Sequence, residues 1–190
     1  MSNAPSRYNT VAIILHWLIA LAIISLLIVG KYMVDLENND PNKYELYQLH
    51  KSMGLTVLVL TLVRIFWRLT HVVPELPQTM KRWERALASG THIIFYVMMV
   101  AIPLSGWAVV SASTSGIPTF WFGLFEVPFL PGLQGAPDQH ALKEQIEGAH
   151  EILGNLTILL LILHVGAALK HQFWDRDDIL KRMLPLTRSS

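Results

Sequence analysis

Four long apolar stretches limit this chain to very few folds. They cover about residues 11–30, 49–69, 86–110 and 149–170, and carry formal charges only toward their ends. Each can cross a hydrocarbon core of about 30 Å as a helix, in which every backbone hydrogen bond is made within the segment. Hydrophobic residues make up 52% of the chain and charged residues 15%, unlike an ordinary soluble domain. The sequence therefore predicts an all-α integral membrane protein, an antiparallel four-helix transmembrane bundle.

We expect residues 1–190 to form a single membrane domain, because four spans leave little chain for a soluble one. The first span is longer than the apolar core of a signal peptide, which is about 7–15 residues. The sequence KYMVDLENND that follows it offers no convincing small-residue cleavage site. We therefore expect this span to be retained.

The distribution of Lys and Arg predicts the orientation. Eleven of the fifteen lie on the side of the termini and the second loop: Arg7, Arg64, Arg68, Lys81, Arg82, Arg85, Lys170, Arg176, Lys181, Arg182 and Arg188. The other four lie on the opposite side: Lys31, Lys43, Lys51 and Lys143. The positive-inside rule then puts both termini in the cytoplasm, and in a bacterium the opposite side faces the periplasm.

Four histidines lie in apolar surroundings and form two pairs by depth. His150 and His164 are fourteen residues apart, which is about 21 Å along a helix and within about 40° of the same direction. His16 lies near the cytoplasmic end of the first span, and His50 opens the second span at the opposite side. Depth alone therefore pairs His16 with His164 on the inner side, and His50 with His150 on the outer side.

Two such pairs suit two six-coordinate haems better than a metal ion, which usually recruits Asp, Glu or Cys beside His. The chain has no cysteine, so covalent attachment is excluded and any haem is of the b type. Gly54, Gly154 and Gly166 follow the candidate ligands closely and leave room for a macrocycle. The alternatives are ordinary histidines hydrogen-bonded across a bundle, or a non-haem histidine-lined transporter or scaffold.

Other polar residues have competing interpretations. His92 is about as deep as His16, so it is a rival inner ligand or a partner of a propionate, a quinone or another helix. Arg64 and Arg68 lie on one helix face, where they either bind the inner haem propionates or anchor the helix at the headgroups. His171, one heptad beyond His164, is either part of an inner substrate site or a simple helix-end histidine.

The long outer segment SASTSGIPTFWFGLFEVPFLPGLQGAPDQ is too proline-broken to span the membrane. Its aromatic residues suit a segment lying at the interface. A wall or gate for the outer cofactor is the alternative. A modest set of basic residues lies on this side of the membrane: Lys51 beside His50, with Lys31 and Lys43 nearby. An anionic electron donor would meet this positive charge.

The chain resembles the bacterial four-helix di-haem cytochrome b561 family, whose members include superoxide oxidase. The features that carry the resemblance run along nearly the whole chain: His16-Trp17, His50, the closing Arg64 and Arg68, His92-x-x-x-Tyr96, Pro103, Gly106, the WFG of the outer loop, His150, His164 and Phe173-Trp174. The fourteen-residue histidine spacing is typical of di-haem b cytochromes in general. The four-span length separates this group from longer relatives.

The resemblance implies two bis-histidine b haems, with His16, His50, His150 and His164 as axial ligands. It also implies an oxidoreductase that passes electrons from superoxide to ubiquinone. Such a protein lies in the lipid of the bacterial inner membrane, and we expect no nucleic-acid partner. The family's quinone region uses a histidine near the end of the fourth span, which His171 matches, and a basic loop residue. The first Lys in that loop is Lys81, but alignment does not establish that Lys81 matches the family's basic residue.

A second function remains open beside superoxide oxidation. The same haems would serve a membrane-anchor subunit of a dehydrogenase or hydrogenase, which needs a soluble protein partner. The sequence does not require such a partner. It also leaves open the physiological donor, the quinone type, the haem potentials and the oligomeric state.

Overall fold

The computed structural model describes residues 5, 7–77, 79–177 and 179–185. This part of the chain has four long helices: α1 (Thr10–Asp35), α2 (Lys43–Thr70), α3 (Arg82–Ser111) and α4 (Gln139–Lys170). α4 runs directly into a π turn, His171–Asp175, and a 3-10 turn follows at Leu180–Met183. Strands β1 (Thr119–Trp121) and β2 (Phe125–Val127) form an antiparallel hairpin between α3 and α4. Arg188, counted above among the inner cations, lies outside the described residues.

All four helices are long and apolar enough to cross a membrane, which confirms the predicted all-α membrane bundle. The most apolar 18-residue windows have mean hydropathies of 2.8 in α1, 1.6 in α2, and 2.2 in both α3 and the span that starts with α4. No more than 17% of the residues in any of these windows are buried inside the protein. Lipid tails are as apolar as these side chains, so an exposed apolar exterior is what a membrane bundle presents.

Contacts between helix ends show that neighbouring helices are antiparallel. Asn9 caps α1 by accepting from the Ala12 N–H at 2.9 Å, and the same oxygen accepts the indole N–H of Trp67, near the end of α2, at 3.0 Å. We call this end of the bundle, where α1 begins and α4 ends, the inner end. At the opposite, outer end, Lys31 of α1 pairs with Glu151 of α4 at 3.4 Å.

The helices pack in chain order. α1 lies along α2, α2 along α3, and α3 along α4. Between the described residues of α1 and α4, which complete the ring, there is no contact of comparable extent. The bundle is therefore least tightly packed between its first and last helices, and both of these carry candidate ligand histidines.

The outer hairpin is fixed to the side of α2. Ser52 Oγ accepts the Phe122 backbone N–H at 3.0 Å, and the Trp121 indole donates to Thr56 Oγ1 at 3.1 Å. Two residues correspond to about 200° of helix rotation, so Ser52 lies roughly opposite His50 on α2. These contacts brace α2 on the side away from His50, and both expected roles of the outer segment stay predictions.

The helices run beyond the predicted spans, because hydropathy marks only the apolar part of each helix. α2 begins at Lys43, so His50 lies two turns inside the helix rather than at its start. α4 begins at Gln139, which puts His150 three turns inside it. The predicted span starts at about residue 149, so His140 fell outside it; the structure places His140 in the first turn of α4, with Nδ1 3.6 Å from a Glu144 carboxylate oxygen.

Candidate functional site

The structure brings the four candidate ligands together as two pairs of imidazoles. In the inner pair, the ring centres of His16 on α1 and His164 on α4 are 6.4 Å apart. In the outer pair, the ring centres of His50 on α2 and His150 on α4 are 6.3 Å apart. α4 thus contributes one histidine to each pair, at levels about 21 Å apart along its axis.

Both separations fit two imidazoles that bind one metal from opposite sides. With a metal–nitrogen bond of about 2.0 Å and a ring centre roughly 1.1 Å behind its nitrogen, the two centres should lie about 6.2 Å apart. The observed values differ from this by no more than 0.2 Å. The donor set also fits haem iron, because two neutral nitrogens are the axial ligands of bis-histidine b cytochromes. The residues present therefore suit a haem in each pair.

Two glycines to which sequence reasoning assigned no place beside the ligands make room for the outer imidazoles. A Cβ at Gly30 of α1 would lie 3.1 Å from Cε1 of His50, and a Cβ at Gly106 of α3 would lie 3.1 Å from Cε1 of His150. Both distances are shorter than an ordinary carbon–carbon contact of about 3.5–4.0 Å. A glycine at each position is therefore what allows the outer pair to approach its neighbouring helices.

The glycines selected from the sequence behave differently. A Cβ at Gly54, Gly154 or Gly166 would have no protein atom within 4 Å. Packing between the helices therefore does not require glycine at these positions. Their expected place beside a macrocycle stays a prediction.

A serine on α3 fixes the tautomer of His150. Ser105 Oγ lies 2.9 Å from His150 Nδ1 and donates its own proton to the Ile102 carbonyl at 2.8 Å. Because that hydroxyl proton is already used, Oγ accepts from His150 Nδ1–H. The lone pair of His150 then lies on Nε2, the nitrogen left for a metal. His50 Nδ1 is buried and has no hydrogen-bond partner among the described residues.

The inner pair has a third histidine beside it. The ring centre of His92 on α3 is 5.9 Å from that of His164, and Phe95 is 5.1 Å from the same ring. His164 therefore faces His16 and His92 at similar distances. Geometry alone keeps His92 as the rival inner ligand, and the assignment of His16 stays a prediction.

The two inner-end arginines of α2 have protein partners. Arg64 donates to the Ala12 carbonyl at 2.7 Å, and Ala12 lies one helical turn before His16. The Arg68 guanidinium carbon lies 5.9 Å from the centre of the Tyr96 ring, a cation–π geometry. Both arginines line one small inner-end cavity of about 20 Å³. Arg64 therefore ties α2 to the turn of α1 that precedes His16.

His171 lies in a network of charged groups at the inner end. Its Nδ1 is 2.9 Å from an Asp175 oxygen and 2.8 Å from an Asp177 oxygen. Lys170 pairs with Asp175 at 2.7 Å and with Glu84 of α3 at 2.8 Å. We call these five residues the inner network.

Lys81 lies next to the inner network. It precedes α3, and its backbone N–H donates to Glu84 at 3.0 Å. The residues expected at a quinone site, Lys81 and His171, are therefore linked through Glu84 and Lys170.

The outer-end cations are also engaged. Lys51 is half-buried and donates to the Pro118 carbonyl of the hairpin segment at 3.2 Å. Lys43 donates to the Leu36 carbonyl at 2.7 Å. Lys31 and its partner Glu151 are both more than half exposed. The basic set near His50 is thus partly used to hold the outer loops.

Comparison with known proteins gives consistent matches over nearly the whole chain. The family described as prokaryotic cytochrome b561 matches residues 7–186. The chain is 33% identical over 184 residues to cytochrome b561 homolog 2 of Escherichia coli (strain K12), covering 96% of this chain and 94% of the relative. It is 28% identical over 186 residues to a probable superoxide oxidase, CybB, of Yersinia pestis, covering 96% and 98%. It is also 30% identical over 189 residues to a cytochrome b562 of Cereibacter sphaeroides, covering 97% and 98%.

Proposed function

The chain belongs to the prokaryotic cytochrome b561 family, and from this premise we propose that it carries electrons from superoxide to ubiquinone through two b haems. Family membership makes it a multi-pass bacterial membrane protein of a haem-binding, electron-transferring kind. The proposal adds the number of haems, the donor, the acceptor and the bacterial inner membrane. It treats residues 1–190 as one functional membrane domain.

The observation that carries the proposal is the presence of two imidazole pairs at two levels of α4. His16 and His164 would hold the inner haem, and His50 and His150 the outer one. Haem iron supplies reversible one-electron chemistry when it is bound. The protein fixes the two levels about 21 Å apart through the helix rise and keeps both sites in an apolar bundle. Two histidines per iron leave no open coordination position, which favours electron transfer over oxygen activation.

The side chains around the pairs add orientation and charge. Ser105 holds His150 in the tautomer that presents Nε2. Arg64 and Arg68 at the inner end bring two positive charges that suit the propionates of a haem there. The N–H groups of Arg64 that do not bond to the Ala12 carbonyl would be free to donate hydrogen bonds to the propionates.

Superoxide as the outer donor is supported by charge and by a relative. The printed name of the Yersinia pestis protein is that of a probable superoxide oxidase. Lys51 directly follows His50 in the sequence, and Lys31 follows Gly30, which lies against the His50 ring. Their positive charges attract an anion, although Glu151 offsets part of the charge of Lys31. The positive-inside rule directs this end to the periplasm.

Ubiquinone as the inner acceptor is supported by the inner network. His171 lies seven residues beyond His164, about 10.5 Å along the helix. Lys81 and Glu84 come from the neighbouring α3 start. An imidazole at the membrane surface, within a short distance of an electron carrier, is suited to hydrogen-bond a quinone oxygen.

The experiment uses purified protein in detergent. A pyridine haemochrome assay should give two b haems per chain, and superoxide should reduce them while a short-chain ubiquinone reoxidises them. One haem per chain or none would overturn the pairing. Reduction by quinol but not by superoxide, with a soluble redox subunit co-purifying, would replace the proposal with the membrane-anchor function of a dehydrogenase or hydrogenase.

A further inference from the structure

The inner network is built around a change in helix type. At His171 the α-helix gives way to a π turn that ends at Asp175, and Arg176 then takes a left-handed conformation with φ of 56°. The Asp177 N–H donates back to the His171 carbonyl at 3.2 Å. π turns inside helices are frequent at functional sites. Here the turn brings both aspartates to the same nitrogen of His171.

The chemistry of the partners fixes the role of each His171 nitrogen. An ionised carboxylate only accepts hydrogen bonds, so Nδ1 must be the donor to Asp175 and Asp177. Nε2 is then the nitrogen left for a ligand. His171 is only 8% exposed, and the side chain of Asp177 is also only 8% exposed. The second Asp177 oxygen, Oδ1, is buried without a hydrogen-bond partner in the described part of the chain.

The charges of the inner network favour a proton rather than a metal ion. One histidine and two aspartates offer three ligand atoms within 4.8 Å of one another. However, the Lys170 ammonium already lies 2.7 Å from the Asp175 carboxylate and 2.8 Å from Glu84. That single cation offsets one of these two negative charges and holds the Asp175 carboxylate in an ion pair, where it is less available to a metal ion. The buried Asp177 then remains to stabilise a positive charge on His171 itself.

We propose that His171 gives a proton from Nε2 to the quinone, and that Asp177, helped by Asp175, is the positioning residue that makes this possible. The inference rests on the proposed function, because it concerns the same acceptor site. A quinone takes up two electrons and two protons to become a quinol, and two superoxide ions supply the electrons and leave as two molecules of oxygen. Each proton leaves from Nε2, and inner-side water restores it. Nδ1–H stays bonded to the carboxylates throughout.

The test separates proton delivery from electron entry. Protein reduced beforehand with dithionite is mixed with a short-chain ubiquinone, and reoxidation of the haems is followed by stopped flow at several pH values. Asp177→Asn keeps the size and one acceptor oxygen but removes the negative charge. General acid–base groups contribute about 10²–10⁴-fold to rates, so we expect kcat for quinone reduction to fall by at least about tenfold with KM little changed.

Two further variants make the test specific. Asp177→Glu restores the charge and should recover part of the rate. Glu147→Gln removes an acid of the same kind at the outer end, where it pairs with Lys143, and should change nothing. The solvent deuterium isotope effect on reoxidation should rise.

The outcomes distinguish this inference from the proposed function. If wild-type protein is not reoxidised by ubiquinone at all, the proposed function fails. If the wild type is reoxidised and Asp177→Asn matches it in rate, pH profile and isotope effect, the positioning role is overturned while the function stands. A loss of rate with a large rise in KM and no change in the isotope effect would also overturn it, because Asp177 would then only shape the pocket.

Discussion

Replacing Gly106 with alanine should weaken the outer haem site selectively. The new Cβ would lie 3.1 Å from Cε1 and 3.5 Å from Nδ1 of His150. To reach an ordinary contact of about 3.5–4.0 Å, the ring must retreat from α3 by roughly 0.4–0.9 Å. Ser105 is on the same helix, so the retreat also stretches its 2.9 Å bond to His150.

The magnitude follows from three contributions. Overpacking costs about 1–3 kcal/mol, and a weakened hydrogen bond costs about 0.5–1.5 kcal/mol. The alanine recovers about 0.5–1 kcal/mol of helix stability. The net loss is therefore about 0.5–4 kcal/mol, which corresponds to haem retention weaker by roughly 2–900-fold.

The measurement is the haem content per chain, together with a potentiometric titration, after competition with a haem-free globin. Gly90→Ala is the matched control, because it lies on the same helix and its Cβ would have no atom within 4 Å. Gly106→Ala should lose one of two titrating components, and Gly90→Ala should lose neither. Equal haem content and equal midpoint potentials in the two variants would refute the reasoning.

Four other outcomes are expected. Replacing either His16 or His164 with alanine should remove the inner haem, and replacing either His50 or His150 should remove the outer haem. If His92→Ala removes the inner haem and His16→Ala does not, the inner ligand was misassigned. Ser105→Ala should raise the outer midpoint potential by about 20–60 mV, because a hydrogen bond of about 0.5–1.5 kcal/mol that makes the imidazole a stronger donor is lost; an unchanged potentiometric curve would contradict this. Arg64→Gln should lower the inner midpoint potential, since a positive charge near the iron is removed, and an inner haem with unaltered potential and occupancy would mean that Arg64 only anchors the helices. The rate of haem reduction by superoxide should fall with ionic strength and fall further in Lys51→Glu, and a salt-independent rate would exclude steering by these charges.

The spans and the pairing of histidines by depth could be predicted because both follow from one-dimensional quantities. Hydropathy sets which residues lie in the membrane, and the helix rise sets how deep each lies. His16 and His164, or His50 and His150, then fall at matching levels with no knowledge of packing. In the structure the ring centres of each pair lie 6.3–6.4 Å apart, and their role as ligands stays a prediction.

What the sequence could not predict depends on how each helix is rotated about its axis. The contacts of Gly30 and Gly106 with the ligand rings were not predicted, because these glycines are near the ligands only in space, on neighbouring helices. His92 could not be separated from His16, since both face His164 from the same depth. The signal that could have found Gly106 was its place directly after Ser105 in an apolar span, where glycine lowers helix stability unless something approaches closely.

The inner network shows a different limit. The seven-residue spacing from His164 drew attention to His171, but that spacing assumes a continuous α-helix. The helix changes to a π turn at that residue, so the contacts with Asp175 and Asp177 follow from a local irregularity that no periodic pattern contains. Asp177 was not singled out from the sequence for this reason.

The division of the histidines among the helices has a consequence for biogenesis. α1 and α2 each carry one member of a pair, and both missing members lie on α4, the last helix to be synthesised. Neither pair of imidazoles exists until that helix has entered the bilayer. On the proposed ligand assignment, cofactor insertion therefore follows entry of α4, and a nascent chain stalled after α3 would lack one proposed ligand of each haem.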